Sequence, residues 1–322
     1  MQRIFYIILF VYVAIAGCEP KEAQETYHPE IAIYSLLEAN KVATARIEYT
    51  QSISDTSAYG VLNVIGHEYR YSINPQLICH AANVALFEDD VLVDSLRFNA
   101  TAQLYEGNNH KVSAGGHYRI EITVKGLPLI YATTTVPYPA NILRLDTVTT
   151  KYDRSIRFWN KEFPFMHISL VFADQPNENN FYELTAGKWI TVDSLISWHT
   201  TDQYSELYFK PNGLFENLTI SYGTSKPYFS DKLFNGKTLS LKLEDWQYGQ
   251  GFFIFPYDSL ICFNLAKVSV EEAKYFKSVD RWAYNYNNAF AEPVPFYSNV
   301  VNGVGIFAAK AVSTGTIRLK KY

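Results

Sequence analysis

From His117 to Val124 the chain reads His-Tyr-Arg-Ile-Glu-Ile-Thr-Val, with an apolar or aromatic side chain at every second position. An extended backbone sends alternate side chains to opposite faces, so this octet buries Tyr118, Ile120, Ile122 and Val124 together as a strand. The same period returns at Ile31, Ile33 and Ser35, and again from Ala43 to Tyr49. Val84 to Phe87 and Val91 to Val93 flank Glu88-Asp89-Asp90, which predicts a hairpin. Gly126-Leu127-Pro128 turns the chain into a strand over Ile130 to Val136, and Pro137-Tyr138-Pro139 ends the series. Short strands at this spacing predict an immunoglobulin-like β-sandwich over residues 30–138. With 25 Tyr and 21 Phe against 2 Met, the composition also favours pleated, half-buried surfaces over helices.

The second half, residues 139–322, reads as a further β-rich domain. Phe165 to Phe172, Phe181 to Leu184, Lys237 to Leu243 and Leu260 to Leu265 are its strands, and Asp174 to Asn180 is an exposed loop. One helix is predicted near residues 269–286. Ser269 and Glu272 form a capping box, and Val270, Ala273, Phe276 and Trp282 recur at helical spacing.

The N-terminus carries an address. Arg3 precedes an apolar run from Ile4 to Ile15, too short to span about 30 Å of hydrocarbon, and the run closes on Ala16-Gly17-Cys18. Residues 1–17 read as a lipoprotein signal and Cys18 as the lipidated residue. Residues 18–29, polar and aperiodic, are a tether that holds the body off the bilayer. The expected location is the outer membrane. Acidic residues soon after Cys18, interrupted by Pro20 and Lys21, resemble the signal that carries some bacterial lipoproteins to the cell surface, and that resemblance implies the surface over the periplasmic face.

Removing the signal takes Arg3 and no acidic residue, which lowers the 28 Lys and Arg to 27 against 32 Asp and Glu. A mildly acidic chain whose one basic clump is Arg318, Lys320 and Lys321 offers no nucleic-acid surface. Cys79 and Cys262 fall in different predicted domains. Two separate buried thiols fit them better than a disulfide, which needs Cα atoms within about 7 Å, though the compartment permits one.

Gly116 to Ile122, Leu127-Pro128 and Ala132 to Pro137 lead to a longer block, Glu292-Pro293-Val294-Pro295-Phe296-Tyr297-Ser298-Asn299-Val300-Val301-Asn302-Gly303-Val304-Gly305-Ile306-Phe307. With the signal, the Asp174 to Asn180 loop and the helix, these blocks resemble the Bacteroidota lipoprotein family known as domain of unknown function 4249. Val304 stands where that family often has Leu, and Ala308-Ala309 where it often has Gly. The resemblance implies an accessory subunit of a TonB-dependent receptor, because members are typically encoded beside such receptors.

Gly303-x-Gly305-x-x-Ala308 has the letters of a dinucleotide fingerprint but no helix after it, so it reads as a turn or bulge entering the last strand. The seven histidines show no metal-ligand spacing, and no nucleophile elbow, Walker loop or EF-hand is present. No metal, cofactor or catalytic residue is therefore expected. Trp282, Tyr284 and Tyr286, interleaved with Asn, together with Asn299, Asn302, Trp246 and Tyr248, are candidates for a partner or ligand surface. Core packing competes with that role at the aromatics. Asp-Ser/Thr-aliphatic triplets place candidate O-glycosylation at Ser95, Thr147, Ser194 and Ser259, with turn chemistry as the alternative. The expected function is a non-enzymatic accessory or binding lipoprotein. A glycan or peptide hydrolase with carboxylates drawn from separate strands, and a structural or adhesive surface protein, are the alternatives.

Overall fold

Alternation does build strands along the whole chain, and the protein is mainly β with a single α-helix among the described residues. The computed structural model describes residues 27–51, 62–65, 68–71, 75–150, 157–158, 161–162, 165–192, 195–200, 207–209, 228–245, 252–253, 259–285 and 295–319. Cys18 and the signal lie outside them.

The first half contains β1 (Ile31–Glu38), β2 (Val42–Tyr49), a separate hairpin of β3 (Leu62–Ile65) and β4 (Glu68–Tyr71), β5 (Asn83–Glu88), β6 (Val91–Asn99), β7 (Leu104–Lys111), β8 (His117–Thr123) and β9 (Ile130–Thr135). Apart from the β3–β4 hairpin they bond in one run, β1-β2-β7-β6-β5-β8-β9. An immunoglobulin-type division into two separately bonded sheets is not seen among these strands. Inward residues of every strand instead meet in one core, including Ile33, Leu37, Ile47, Leu86, Tyr105, Tyr118, Ile120 and Ile130. The β5–β6 hairpin forms at the expected place. Asp89 and Asp90 both take positive φ (47° and 65°), the twist a two-residue turn between strands requires.

The second half contains β10 (Asn141–Thr150), β11 (Arg157–Phe158), β12 (Lys161–Glu162), β13 (Phe165–Ala173), β14 (Phe181–Val192), β15 (Leu195–Thr200), β16 (Leu207–Phe209), β17 (Tyr228–Ser230), β18 (Thr238–Asp245), β19 (Phe252–Phe253), β20 (Ser259–Val268), α1 (Val270–Asn285) and β21 (Val304–Leu319). One layer is β10-β13-β18-β16. It packs on β14 and β20 through Ile168, Leu170, Phe172, Leu241, Tyr182, Leu184, Phe263 and Leu265. The rings of Phe172, Tyr182, Phe229 and Phe234 meet at centroid distances of 5.2 to 6.4 Å, the edge and offset contacts that aromatic quadrupoles favour.

The last strand joins the two halves. Val304 to Lys310 pairs in parallel with β1, Ala32 opposite Val304 and Glu38 opposite Lys310. From Lys310 to Leu319 it pairs antiparallel with β20. β14 and β15 extend this sheet beyond β20, so one sheet runs from Thr200 to β9. Gly305 makes the parallel approach possible. Its φ is +109°, and a Cβ there would lie 2.0 Å from the Ile33 carbonyl oxygen.

A buried carboxylate ties β6 to β7 in the middle of this run. Asp94, inside β6, accepts from the Ser95 N–H at 2.8 Å and from both the backbone N–H and the side-chain amide of Asn108 at 2.9 Å. Burial raises the pKa of Asp94, but these donors outweigh it and hold the carboxyl below its ordinary value.

Two outcomes follow from this geometry. Gly305→Ala should cost about 3 kcal/mol through strain and overlap. Gly126→Ala, also at positive φ but with open space where its Cβ would go, should cost only about 1 kcal/mol, as read by chemical denaturation. For Asp94 the depressed folded pKa means stabilisation that is present above the unfolded value and lost as pH falls through the folded one. Asp94→Asn should therefore destabilise by about 2 kcal/mol at pH 7 and by clearly less at about pH 3.

Candidate functional site

The block 299–303 is a clasp. Tyr131 and Val301 exchange both backbone hydrogen bonds, at 3.3 and 2.8 Å, and the Asn302 amide donates to the Leu129 carbonyl at 2.8 Å. These bonds lay the chain antiparallel along β9. Asn302 then turns it at φ 59° into β21. Asn299 connects the two sides with one amide. It donates to the Thr133 carbonyl at 3.0 Å and the Phe307 carbonyl at 2.8 Å, and accepts from the Phe307 N–H at 3.0 Å. The run that begins at β21 and β1 and ends at β9 is thereby closed on itself. Around the clasp the outer face is apolar: Leu129 is 46% exposed, Tyr131 37%, Val301 41% and Phe296 50%.

Helix α1 docks where β21 changes partners. Ser269 extends the β20 ladder, its N–H donating to the Ala309 carbonyl at 2.7 Å. Its hydroxyl accepts from the Ala309 N–H at 3.2 Å and the Glu272 N–H at 3.3 Å. The cap is therefore half of the expected box. The Ser269 N–H is already engaged by the sheet, and the buried Glu272 carboxylate contributes instead to the field around Lys310. Lys310 Nζ donates to Glu183 Oε2 at 3.2 Å. Burial pulls its pKa down, but Glu183, Glu272 and Glu38 together hold it above the ordinary lysine value.

The expected loop at Asp174 to Asn180 is exposed over residues 175–179 and anchored by its buried ends. Asp174 accepts from the Asn180 amide at 3.0 Å, from the Gly236 N–H at 2.7 Å and from the Tyr182 hydroxyl. Asp231 accepts from the Asn180 N–H at 2.8 Å. Lys267 reaches out to Gln175 at 3.0 Å and Glu178 at 2.8 Å. Burial first, then the neighbouring Asp174, pushes the Asp231 carboxyl up. Both aspartates are held by donors from the loop itself. Among the described residues no group of three or more His, Cys, Asp or Glu is arranged to hold a metal ion.

A cavity of about 520 Å3 opens where the chain enters the fold. Tyr27, Tyr49, Leu77, Val124 and Leu127 form its walls, and Lys125 stands at it. The Tyr27 hydroxyl donates to Thr50 Oγ1, which also accepts from the Glu30 N–H at 2.8 Å. The Cys79 thiol donates to the Tyr49 hydroxyl at 3.5 Å, and that bond, with burial, pushes the Tyr49 pKa up to about 12.

The sequence profile of domain of unknown function DUF4249 matches residues 19–316. The chain belongs to the DUF4249 family. No curated protein matches it significantly. In this DUF4249 protein, Asn299 and Asn302, candidates for a partner surface, have their amides engaged by the clasp. Trp282 is half-buried with its ring 5.6 Å from that of Phe296. Tyr284 lies on α1, with its side chain outside the described residues, as are Tyr286, Trp246 and Tyr248 altogether. Of the candidate glycan acceptors, Ser95 is exposed in mid-strand, not in a turn. Thr147 and Ser259 occupy strand positions with side chains outside the description, and Ser194 lies outside it. Cys79 and Cys262 are separate, free and buried thiols, with Cys262 pushed up in pKa by burial. Gly303 and Gly305 approach the Ile31 and Ile33 carbonyls in a strand entry, as the turn reading expected. Nothing in the sequence pointed to the pairing of Lys310 with Glu183 or to the cavity, whose Tyr49, Val124 and Leu127 read only as strand and turn residues.

The clasp predicts a specific failure. Asn299→Asp would set a carboxylate against two carbonyl oxygens, and should cost about 3 kcal/mol. Backbone amides of Tyr131, Val301 and Phe307 should then exchange with solvent faster, while those of β5 keep their protection.

Proposed function

We propose that the chain is an outer-membrane lipoprotein, anchored through a lipid on Cys18, that serves without catalysis as an accessory or binding subunit of a TonB-dependent nutrient uptake system. The observation that carries this reading is the exposure of Leu129, Tyr131 and Val301 together at the clasp, with Phe296 also exposed in the segment that leads into it. Side chains of this kind, grouped on an otherwise acidic body, suit a protein interface more than a solvent face. Phe296 and Val301 belong to the block most distinctive of the family, so the segment that closes the fold also contributes to this surface. The signal ending at Cys18 supports the anchor, and the cell-surface face is preferred. Exposure of Ser95 on β6 supports O-glycosylation there, in keeping with export.

The test is recovery of partners from detergent-solubilised outer membranes with the native lipidated protein as bait. A TonB-dependent receptor should be recovered in stoichiometric amount, and the double variant Tyr131→Lys, Val301→Glu, whose opposite charges face each other across the bridge, should lose it while keeping its melting temperature. Recovery of the bait alone would overturn the reading.

A further inference from the structure

We infer that the cavity at the chain's entry into the fold is a binding site for a small amphipathic anion, a ligand with an apolar, ring-sized body and one acidic group. Its volume of about 520 Å3 falls within the range of small-molecule sites, roughly 300–1,000 Å3. Its walls are apolar or aromatic: Tyr27, Tyr49, Leu77, Val124 and Leu127.

The head group of the ligand is set by which polar atoms are left over. The hydroxyl of Tyr27 is bound to Thr50, and that of Thr50 serves Tyr27 and the Glu30 N–H. The hydroxyl of Tyr49 takes the Cys79 thiol. The Tyr27 O–H is thereby spent, whereas Thr50 and Tyr49 only accept in these bonds and each keeps an O–H that can donate to an anion. Lys125 is different: it is exposed, lines the cavity, and forms no hydrogen bond or ion pair with any described residue. An open, largely apolar depression that also carries Thr50 and Gln51, with the Lys125 ammonium at its edge, suits a carboxylate, sulfonate or phosphate carried on an apolar body. The position adds a consequence. Tyr27 belongs to the segment leading from the tether into β1, so an occupant holds that segment against Tyr49 and Leu127.

The site does not depend on anchoring or on a partner, so its test is separate from that of the transport reading. The full-length protein in lipid nanodiscs, with empty nanodiscs as blank, is titrated with 2-naphthoate and with its uncharged counterpart 2-naphthalenemethanol. Naphthoate should bind, and about tenfold more tightly than the alcohol. Lys125→Glu should abolish that preference, Lys125→Met should bind both ligands with the affinity of the alcohol, and Lys232→Glu, on an exposed turn of the second half, should change nothing. Leu127→Trp, which fills the chamber, should remove both ligands. Each variant's melting temperature separates loss of the site from loss of the fold. No binding to the native protein, or binding that survives Leu127→Trp, would overturn the cavity as the site. Equal affinity for the acid and the alcohol would overturn the assignment of the anion.

Discussion

Parallel pairing between β1 and the first half of β21 carries the architecture. β1 is the first strand of the body, yet its neighbours are β2 on one edge and the last strand on the other. A pair so far apart in sequence closes a very long loop before any contact rewards it, which places this ladder among the slowest things the chain can form. Once formed, it leaves the far edge of Phe307 and Ala309 with backbone groups to satisfy. The protein satisfies them with Asn299 at Phe307 and Ser269 at Ala309, so the clasp and the helix cap are both consequences of the same exposed edge. The two glycines follow from it as well, since residues with a Cβ at 303 and 305 would meet the Ile31 and Ile33 carbonyls.

Register along β21 is protected by a charge. Tyr34, Leu36 and Glu38 share a face with Ile306, Ala308 and Lys310, and α1 covers that face, with Tyr275 edge-on to Tyr34 at 6.3 Å. Ser35 and Leu37 point the other way, with Phe307 and Ala309, into the first core. Slipping β21 by one residue would exchange the faces and drive Lys310 into that core, away from Glu183, Glu272 and Glu38. Burying an ammonium without its carboxylates costs several kcal/mol, far more than the pair itself contributes. The ionic layer under the helix is therefore better understood as a lock on register than as a source of stability.

What could be read from the sequence was local, and the residues show why. Alternation located the strands, Asp89-Asp90 located a hairpin, and Ser269 located the start of α1, because each of these is decided within a few residues. Asn299 and Asn302 read as exposed amides, since nothing nearby in sequence shows that Thr133 and Leu129 lie alongside. Asp94 read only as the first residue of a candidate glycan-acceptor triplet, with turn chemistry as the alternative, for the same reason: its partner Asn108 lies on the next strand. Half of the capping box was legible and half was not. Ser269 finds Glu272 locally, but its own N–H goes to Ala309, which no helix pattern anticipates.

The continuity of β21 also orders the molecule along one axis. At about 3.3 Å per residue its 16 residues span roughly 50 Å. The first residues lie beside the start of β1, near Tyr27 and the cavity, and the last lie in the β20 ladder beside the second core. Under the proposed anchoring, the described chain begins at Tyr27 at the cavity end, so that end is joined to Cys18 by the shorter stretch of chain and the second core lies at the other end of β21. The two kinds of contact then separate by position. A small molecule at the cavity is held at the anchored end, while the Asp174 to Asn180 loop, tied to Lys267 opposite Ala311, lies beside the middle of β21 where the two halves meet. The clasp and its apolar seam lie at the cavity end too, because Asn302 and Leu129 sit at the start of β21 and β9. A membrane-embedded partner meeting that seam would be within reach of the cavity, so under the proposal the cavity, the exposed apolar residues at the clasp and the entry of the chain at Tyr27 all serve one end of the same sheet.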